Sequence, residues 1–367
     1  MKEYWNAGSP GLTIVPVGKI RGTCLCLSTG IAKLLNLYQV NYCRRNLGPI
    51  GIQTFLYKLV FNVGIAVAVC LLVLLEYFVV PVHAEEGGYD WKTARELYPG
   101  IRYVHAEPSV PQKMVINCLQ IDSHTPGLMF YTTPRCAEWT EGKAETTRQT
   151  TRNFIRQSRQ KFPKLVIAIN ANAFSPWPAP FQQEDPTDVL GLAVSMGTLV
   201  SRSNAMPFLL VSKTGKLQIA TTFTDEDLLD VETAVSGFGL CLVEGEVPAT
   251  GDDLHPRTGL GLSQDGRHLF FLTIDGRQPS SLGATVQDVG DLLKKFGAYT
   301  GINMDGGGST TMAWWDINVE GEDKCQLLNS PVGDGDSYDS TGDAPFAPTE
   351  RATGNNLGVY FLEASTK

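Results

Sequence analysis

With 367 residues, 43% of them hydrophobic and 19% charged, the chain has a globular composition and enough length for one large core or two ordinary ones. Its net charge of -8 is unevenly spread. Of the 30 basic and 38 acidic residues, seven and two fall within residues 1–84, so the remainder holds 23 and 36, a net of -13. So acidic a body excludes nucleic acid as a partner.

Residues 1–84 read as a leader. No charge interrupts Leu59 to Leu75, and after Glu76 the apolar character resumes through Tyr77-Phe78-Val79-Val80, giving a hydrophobic run over 59–82. Basic residues precede it and Glu85-Glu86 follow, so the positive-inside rule sends the C-terminal body out of the cytoplasm. Val82-His83-Ala84 fits a signal-peptidase site, and cleavage after Ala84 is the first expectation. An uncleaved membrane anchor is the second and a buried core helix the third. Residues 1–45 resemble neither a signal peptide nor a domain, which points to a start codon nearer Arg44-Arg45, a plain basic n-region rather than a twin-arginine signal. The expected organisation is a leader, 1–84, and one exported domain, 85–367.

Four of the eight cysteines fall in the leader; Cys118, Cys136, Cys241 and Cys325 belong to the body. None lies in a CxxC or His/Cys cluster with zinc spacing, so neither a metal site nor a cofactor is expected. A local Cys118–Cys136 disulfide and buried free thiols are both open.

Residues 85–112 read as an irregular lead-in, followed by a strand over Met114–Ile121. Thr146–Phe162 carries Arg and Gln over most faces and reads as a surface helix closed by Pro163. Leu165–Ile169 is a buried strand running into Asn170-Ala171-Asn172-Ala173-Phe174, and a Pro- and aromatic-rich loop follows over 175–181. Short strands come next, with Gly-containing turns at Lys213–Lys216 and Gln264–Arg267.

The sharpest pattern lies in residues 268–311. His268–Ile274 is a strand ending in Asp275-Gly276-Arg277. Thr285–Phe296 places Val286, Val289, Leu292, Leu293 and Phe296 at helical spacing, with a Thr285/Asp288 capping box and Gly297 to end the helix. Gly301–Met304 is a second strand, ending in Asp305. Strand, helix, strand predicts a βαβ unit with parallel strands, within an α/β (mixed α+β) fold built on a mixed sheet. Asp275 and Asp305 then emerge at one carboxyl edge, where open sheets bind ligands, and Asn170 joins them if its strand shares the sheet.

Each feature also has a plainer reading. Asp275-Gly276 and Asp305-Gly306 are common turn pairs, and Arg257 in His255-Pro256-Arg257-Thr258 reads equally as a solvated loop arginine. Three glycines exceed the needs of a hairpin into Thr310–Trp315, and Gly306, Gly307 and Gly308 with Ser309 could present N–H groups to an anion. No Lys follows them, so this is not a Walker loop. Asp334, Asp336, Asp339 and Asp343 lack EF-hand spacing and read as a solvated acidic loop.

Taken together, AINANAF (168–174), HPRTGLGLSQDGRHLFFLTIDGRQ (255–278), LGATVQDVGDLLKKFGAYTGINMDGGGSTTM (282–312), LLNSP (327–331) and TERATGNNLGVYF (349–361) resemble the phosphodiester glycosidase family in order and spacing. Ala171 and Ala173 depart from it, standing where glycines are usual. The resemblance implies an enzyme that cleaves a sugar C1–O bond with a phosphate ester leaving, in relatives often associated with exopolysaccharide. Such a leaving group needs charge stabilisation more than protonation, which makes Arg257, Arg277 and Arg351 the phosphate candidates. A carboxylate is needed near C1, Asp305 first and Asp275 second. Asn170, Thr258, Ser309 and Asn329 would hydrogen-bond sugar or phosphate oxygens, with Asn172 from the same block as Asn170. The expected partner is a glycan or sugar phosphodiester, with the membrane added if the run over 59–82 stays uncleaved. Two other classes stay open: a binding module using loop 175–181 as its stacking platform, and a phosphodiesterase or phosphotransferase breaking P–O.

Overall fold

A computed structural model describes residues 89–176, 181–202, 206–248, 251, 253–333 and 348–362. The leader, the tip of the Pro-rich loop and the acidic stretch 334–347 lie outside them. Among the described residues the molecule is mostly β, with two α-helices, and every strand pairing is antiparallel. The largest sheet runs, in spatial order, Arg95–Tyr98, Ile101–Ala106, Ile116–Asp122, His268–Ile274, Arg257–Leu262, Thr300–Asn303, Gly239–Leu242. A five-stranded sheet runs Cys325–Leu327, Met312–Trp315, Leu165–Asn170, Asn356–Phe361, Leu128–Thr132. A second five-stranded sheet holds the short strands between Ala193 and Ser236.

The three sheets share one core, because alternate residues of each strand point the same way. Leu119, Ile121, Leu260, Phe271 and Ile302 of the largest sheet meet Ile167, Ile169, Met312, Leu357 and Val359 of the next, with Leu209 and Val235 from the third. The outer face of the largest sheet is covered by the helix Val286–Phe296, which buries Val289, Leu293 and Phe296 against Cys118, Phe270 and Leu272. Each such side chain contributes on the order of 2 kcal/mol of burial. The predicted capping box is present, and Gly297 ends the helix at φ 107°. The other helix, Thr151–Ser158, packs Phe154 and Ile155 on Leu165, Ala168 and Tyr360.

Three expectations need correction. His268–Ile274 and Thr300–Asn303 point the same way but do not pair, since Arg257–Leu262 lies between them, antiparallel to both. The tight turn at Ser263–Arg267 lets 257–262 fold straight back onto 268–274, taking the place a parallel neighbour would need. The sheet is accordingly antiparallel, not mixed. The lead-in is not irregular: Arg95–Tyr98 and Ile101–Ala106 form a hairpin about Pro99-Gly100, with Gly100 at φ 71°. The surface helix is only eight residues long, beginning after Thr150, whose side chain caps it. Of the two readings open for the cysteines, that of free thiols holds: Cys118, Cys136, Cys241 and Cys325 are unbridged, and burial pushes the thiols of Cys241 and Cys325 up to about 12. Among the described residues no helix is long and apolar enough to cross a membrane, and no group of three His, Cys, Asp or Glu is placed to hold a metal.

Candidate active site

The shared strand direction brings several predicted residues to one sheet edge. Asp275 and Arg277 follow His268–Ile274, Asp305 follows Thr300–Asn303, and Arg257 opens the antiparallel strand between them. There a cleft of about 240 Å³ is lined by Phe238, His255, Arg257, Arg277, Met304, Asp305, Gly306, Gly307, Gly308 and Arg351.

Asp305 is fixed through its backbone: its N–H donates to Ala171 O (3.2 Å), and its carbonyl accepts from Asn170 Nδ2 (2.7 Å). The residue is partly open to the cleft, yet its Oδ2 is buried and has no hydrogen-bond partner among the described residues. Burial pushes the carboxyl up to about 6, against the opposing pull of the Ser309 hydroxyl, the Arg351 guanidinium and the Gly306 N–H. Asp275 is also raised to about 6 by burial. It is only 2% exposed and does not line the cleft. Its carboxylate accepts from Asn329 Nδ2 (2.8 Å) and from Ser330 N (3.1 Å to each oxygen), tying residues 329–330 to the sheet edge.

The three candidate arginines converge. Arg257 donates to Ala284 O and Asp253 O, both at 2.9 Å, and Arg351 donates to Ser309 Oγ (3.3 Å) and Gly333 O (3.2 Å). The Arg351 guanidinium also lies 5.0 Å from the centre of the Phe181 ring. Arg277 takes a left-handed backbone, φ 56°, and its Nη2 lies 3.2 Å from His255 Nδ1. Burial and the charges of Arg257 and Arg277 hold His255 below its usual range. That favours the neutral ring, and because Arg277 can only donate, Nδ1 accepts and the proton is assigned to Nε2.

The glycine run is explained by close approach. A Cβ on Gly308 would lie 1.7 Å from Gly333 O and 2.5 Å from Arg351 Nη2, and Gly307 sits at φ 61°. Of the four loop N–H groups expected to face an anion, two already have backbone partners. Gly307 N donates to Pro256 O and Ser309 N to Gly306 O. The hydrogen-bonding candidates are committed to the protein. Asn170 Oδ1 accepts from Thr258 Oγ1 (2.8 Å) and Thr311 N (3.0 Å), so Asn170 and Thr258 brace Asp305 from below. Asn172 donates to Leu190 O and Leu192 O and accepts from Ser236 N and Asn355 Nδ2. Asn329 accepts from Met312 N. All four are buried: they position the site rather than face the cleft.

Three lining residues were not among the expected site residues: His255, Phe238 and Met304, the last named only as the end of a strand. His255 stood beside Arg257 in the matched block; Phe238 was marked only by the glycines on either side of it.

Comparison with known proteins gives this geometry a context. Residues 163–360, more than half of the chain, match the family model described as phosphodiester glycosidase. An uncharacterized SPbeta prophage-derived protein of Bacillus subtilis, YomE, is 29% identical over 184 residues, covering 46% of this chain and 26% of that protein. The match thus spans about a quarter of the relative's length. Among solved structures, the zebrafish N-acetylglucosamine-1-phosphodiester alpha-N-acetylglucosaminidase catalytic domain, auto-inhibited by its pro-peptide, is similar with a TM-score of 0.50 and 18% identity. That likeness covers 74% of this chain and 87% of the zebrafish one. A hypothetical protein from Synechocystis is similar with a TM-score of 0.44 and 12% identity, over 72% and 62% of the two chains.

Proposed function

The chain belongs to the phosphodiester glycosidase family, a family of glycosidase-type hydrolases, and on that premise we propose that it hydrolyses the C1–O bond of a sugar-1-phosphodiester. The observation that carries this reading is the composition of the cleft. Asp305, a residue partly open to the cleft whose carboxylate keeps an unpartnered, buried oxygen, lines a space that it shares with three guanidiniums. With His255 neutral, three positive charges and one negative leave the cleft cationic, which suits an anionic substrate.

The chemistry follows from that charge distribution. As C1–O lengthens, the bonding pair goes to the phosphate oxygen, and the guanidiniums of Arg257, Arg277 and Arg351 with the His255 Nε2–H take up the growing charge. The sugar becomes oxocarbenium-like, and the Asp305 carboxylate stabilises C1 either as the attacking group or by taking a proton from water. Water supplies OH to C1 and the phosphate leaves as a monoester. Asp275 takes no direct part in this scheme; closed within Asn329 and Ser330, it holds the site's wall.

N-acetylglucosamine-1-phosphodiesters are the first substrates to try, since the zebrafish relative's name specifies that group. The hydrophobic run over 59–82 and its flanking charges support export, and exopolysaccharide or cell-envelope glycan is the proposed setting. The test is hydrolysis of a sugar-1-phosphodiester panel by the full chain in ¹⁸O-labelled water. Label in the sugar supports C–O cleavage, whereas label in the phosphate means P–O cleavage and ends the glycosidase reading.

A further inference from the structure

The strand order lays out the cleft's chemistry along a line. Across the sheet the strands run His268–Ile274, Arg257–Leu262, Thr300–Asn303, Gly239–Leu242. At the cleft edge these place, in turn, Arg277, then His255 and Arg257, then Asp305, then Phe238. Neighbouring strands lie about 4.8 Å apart, so cations, carboxylate and aromatic ring are spread over roughly 14 Å.

Phe238 is 51% exposed, an unusual state for one of the largest apolar side chains. Its backbone is pinned: its N–H donates to Asn303 O (2.9 Å), and a Cβ on Gly237 would lie 2.5 Å from both Asn303 O and Ile302 Cγ2. A ring held half in water at the mouth of a cationic cleft recovers its apolar burial only when a ligand covers it.

We propose that Phe238 is the stacking platform for the substrate's pyranose ring, and that the strand order fixes substrate polarity. The sugar's C–H face lies on Phe238, C1 stands at Asp305, and the phosphate lies across Arg257 and Arg277 with His255 donating to it. The opposite orientation sets an anion against an apolar ring and strands the guanidiniums opposite an uncharged sugar. This assignment rests on the glycosidase reading and adds to it a residue that selects the sugar and an order of subsites.

The experiment is calorimetric binding to the full chain of three probes: glucose 1-phosphate, N-acetylglucosamine 1-phosphate and inorganic phosphate. The wild-type protein binds at least one hexose 1-phosphate more tightly than phosphate. Phe238→Ala weakens that hexose 1-phosphate about tenfold and leaves phosphate unchanged, Phe238→Tyr restores the affinity, and Arg277→Gln weakens both kinds of probe. Equal loss for sugar phosphate and phosphate in Phe238→Ala, no loss for either, or a wild type without preference for any hexose 1-phosphate overturns the proposal. Binding needs no turnover, so the two readings fail separately. Phe238-dependent sugar binding without hydrolysis sinks only the glycosidase reading; hydrolysis with Phe238-independent binding sinks only this one.

Discussion

Asp275 and Asp305 occupy matching places. Each follows a strand of the same sheet at the same edge, each precedes a glycine, and burial raises both carboxyls to about 6. Their surroundings divide them. Asp275 accepts three contacts from Asn329 and Ser330 and is sealed from the cleft, while Asp305 keeps a buried oxygen without a partner beside open space. A raised carboxyl alone therefore does not mark a reactive group, because structural burial produces it equally well. The unsatisfied oxygen is the distinguishing sign.

The comparison breaks most sharply at the reacting carboxylate. Asp305→Asn is expected to lower kcat on a sugar phosphodiester by about 10³-fold or more with KM little changed, as steady-state kinetics will show. The wild-type kcat should rise with pH through about 6 as Asp305 ionises, and the variant should lose that limb. Arg277→Gln removes one charge-assisted contact to the departing phosphate, and kcat/KM should fall about 10²-fold. On the closed side, Asn329→Ala strips Asp275 of a donor and Met312 N of its acceptor. A loss of about 2 kcal/mol in chemical denaturation is expected, whatever the substrate.

The smallest effect concerns stability against pH. Asp305 has a folded pKa above its unfolded value, so its contribution is fully present below the unfolded value, near 4, and is lost as pH rises through about 6. Asp305→Asn should therefore be more stable than the wild type at pH 7.5, by about 3 kcal/mol at most, with the gap closing towards pH 4. A constant gap across that range would mean that the carboxyl is not desolvated.

Much of this site was legible in the sequence because it is carried by short, dense motifs. Asp305, the glycine run, Arg257, Arg277 and Arg351 all line the cleft. The helix Val286–Phe296 was equally legible, since its capping box and apolar spacing are local properties. What stayed hidden was set by long-range pairing. That Arg257–Leu262 would insert between two strands of like direction depends on a hairpin outcompeting a parallel ladder, which no periodicity encodes. Asn170, Asn172, Thr258 and Asn329 illustrate the same limit: their amides and hydroxyls suit a sugar as well as a backbone, and only the fold decides which they meet. Phe238 escaped notice because a lone aromatic in a loop looks the same whether it faces a core or a cleft.

The fit of Gly308 against Gly333 and Arg351 also bears on how such a site can change over evolutionary time. With 1.7 Å where a methyl group would have to go, the glycine loop admits no gradual exploration by substitution, since even alanine displaces a backbone carbonyl. Adaptation to a new glycan has to come from the strands on either side of Asp305, where the ring at position 238 and the guanidiniums at 257 and 277 are carried.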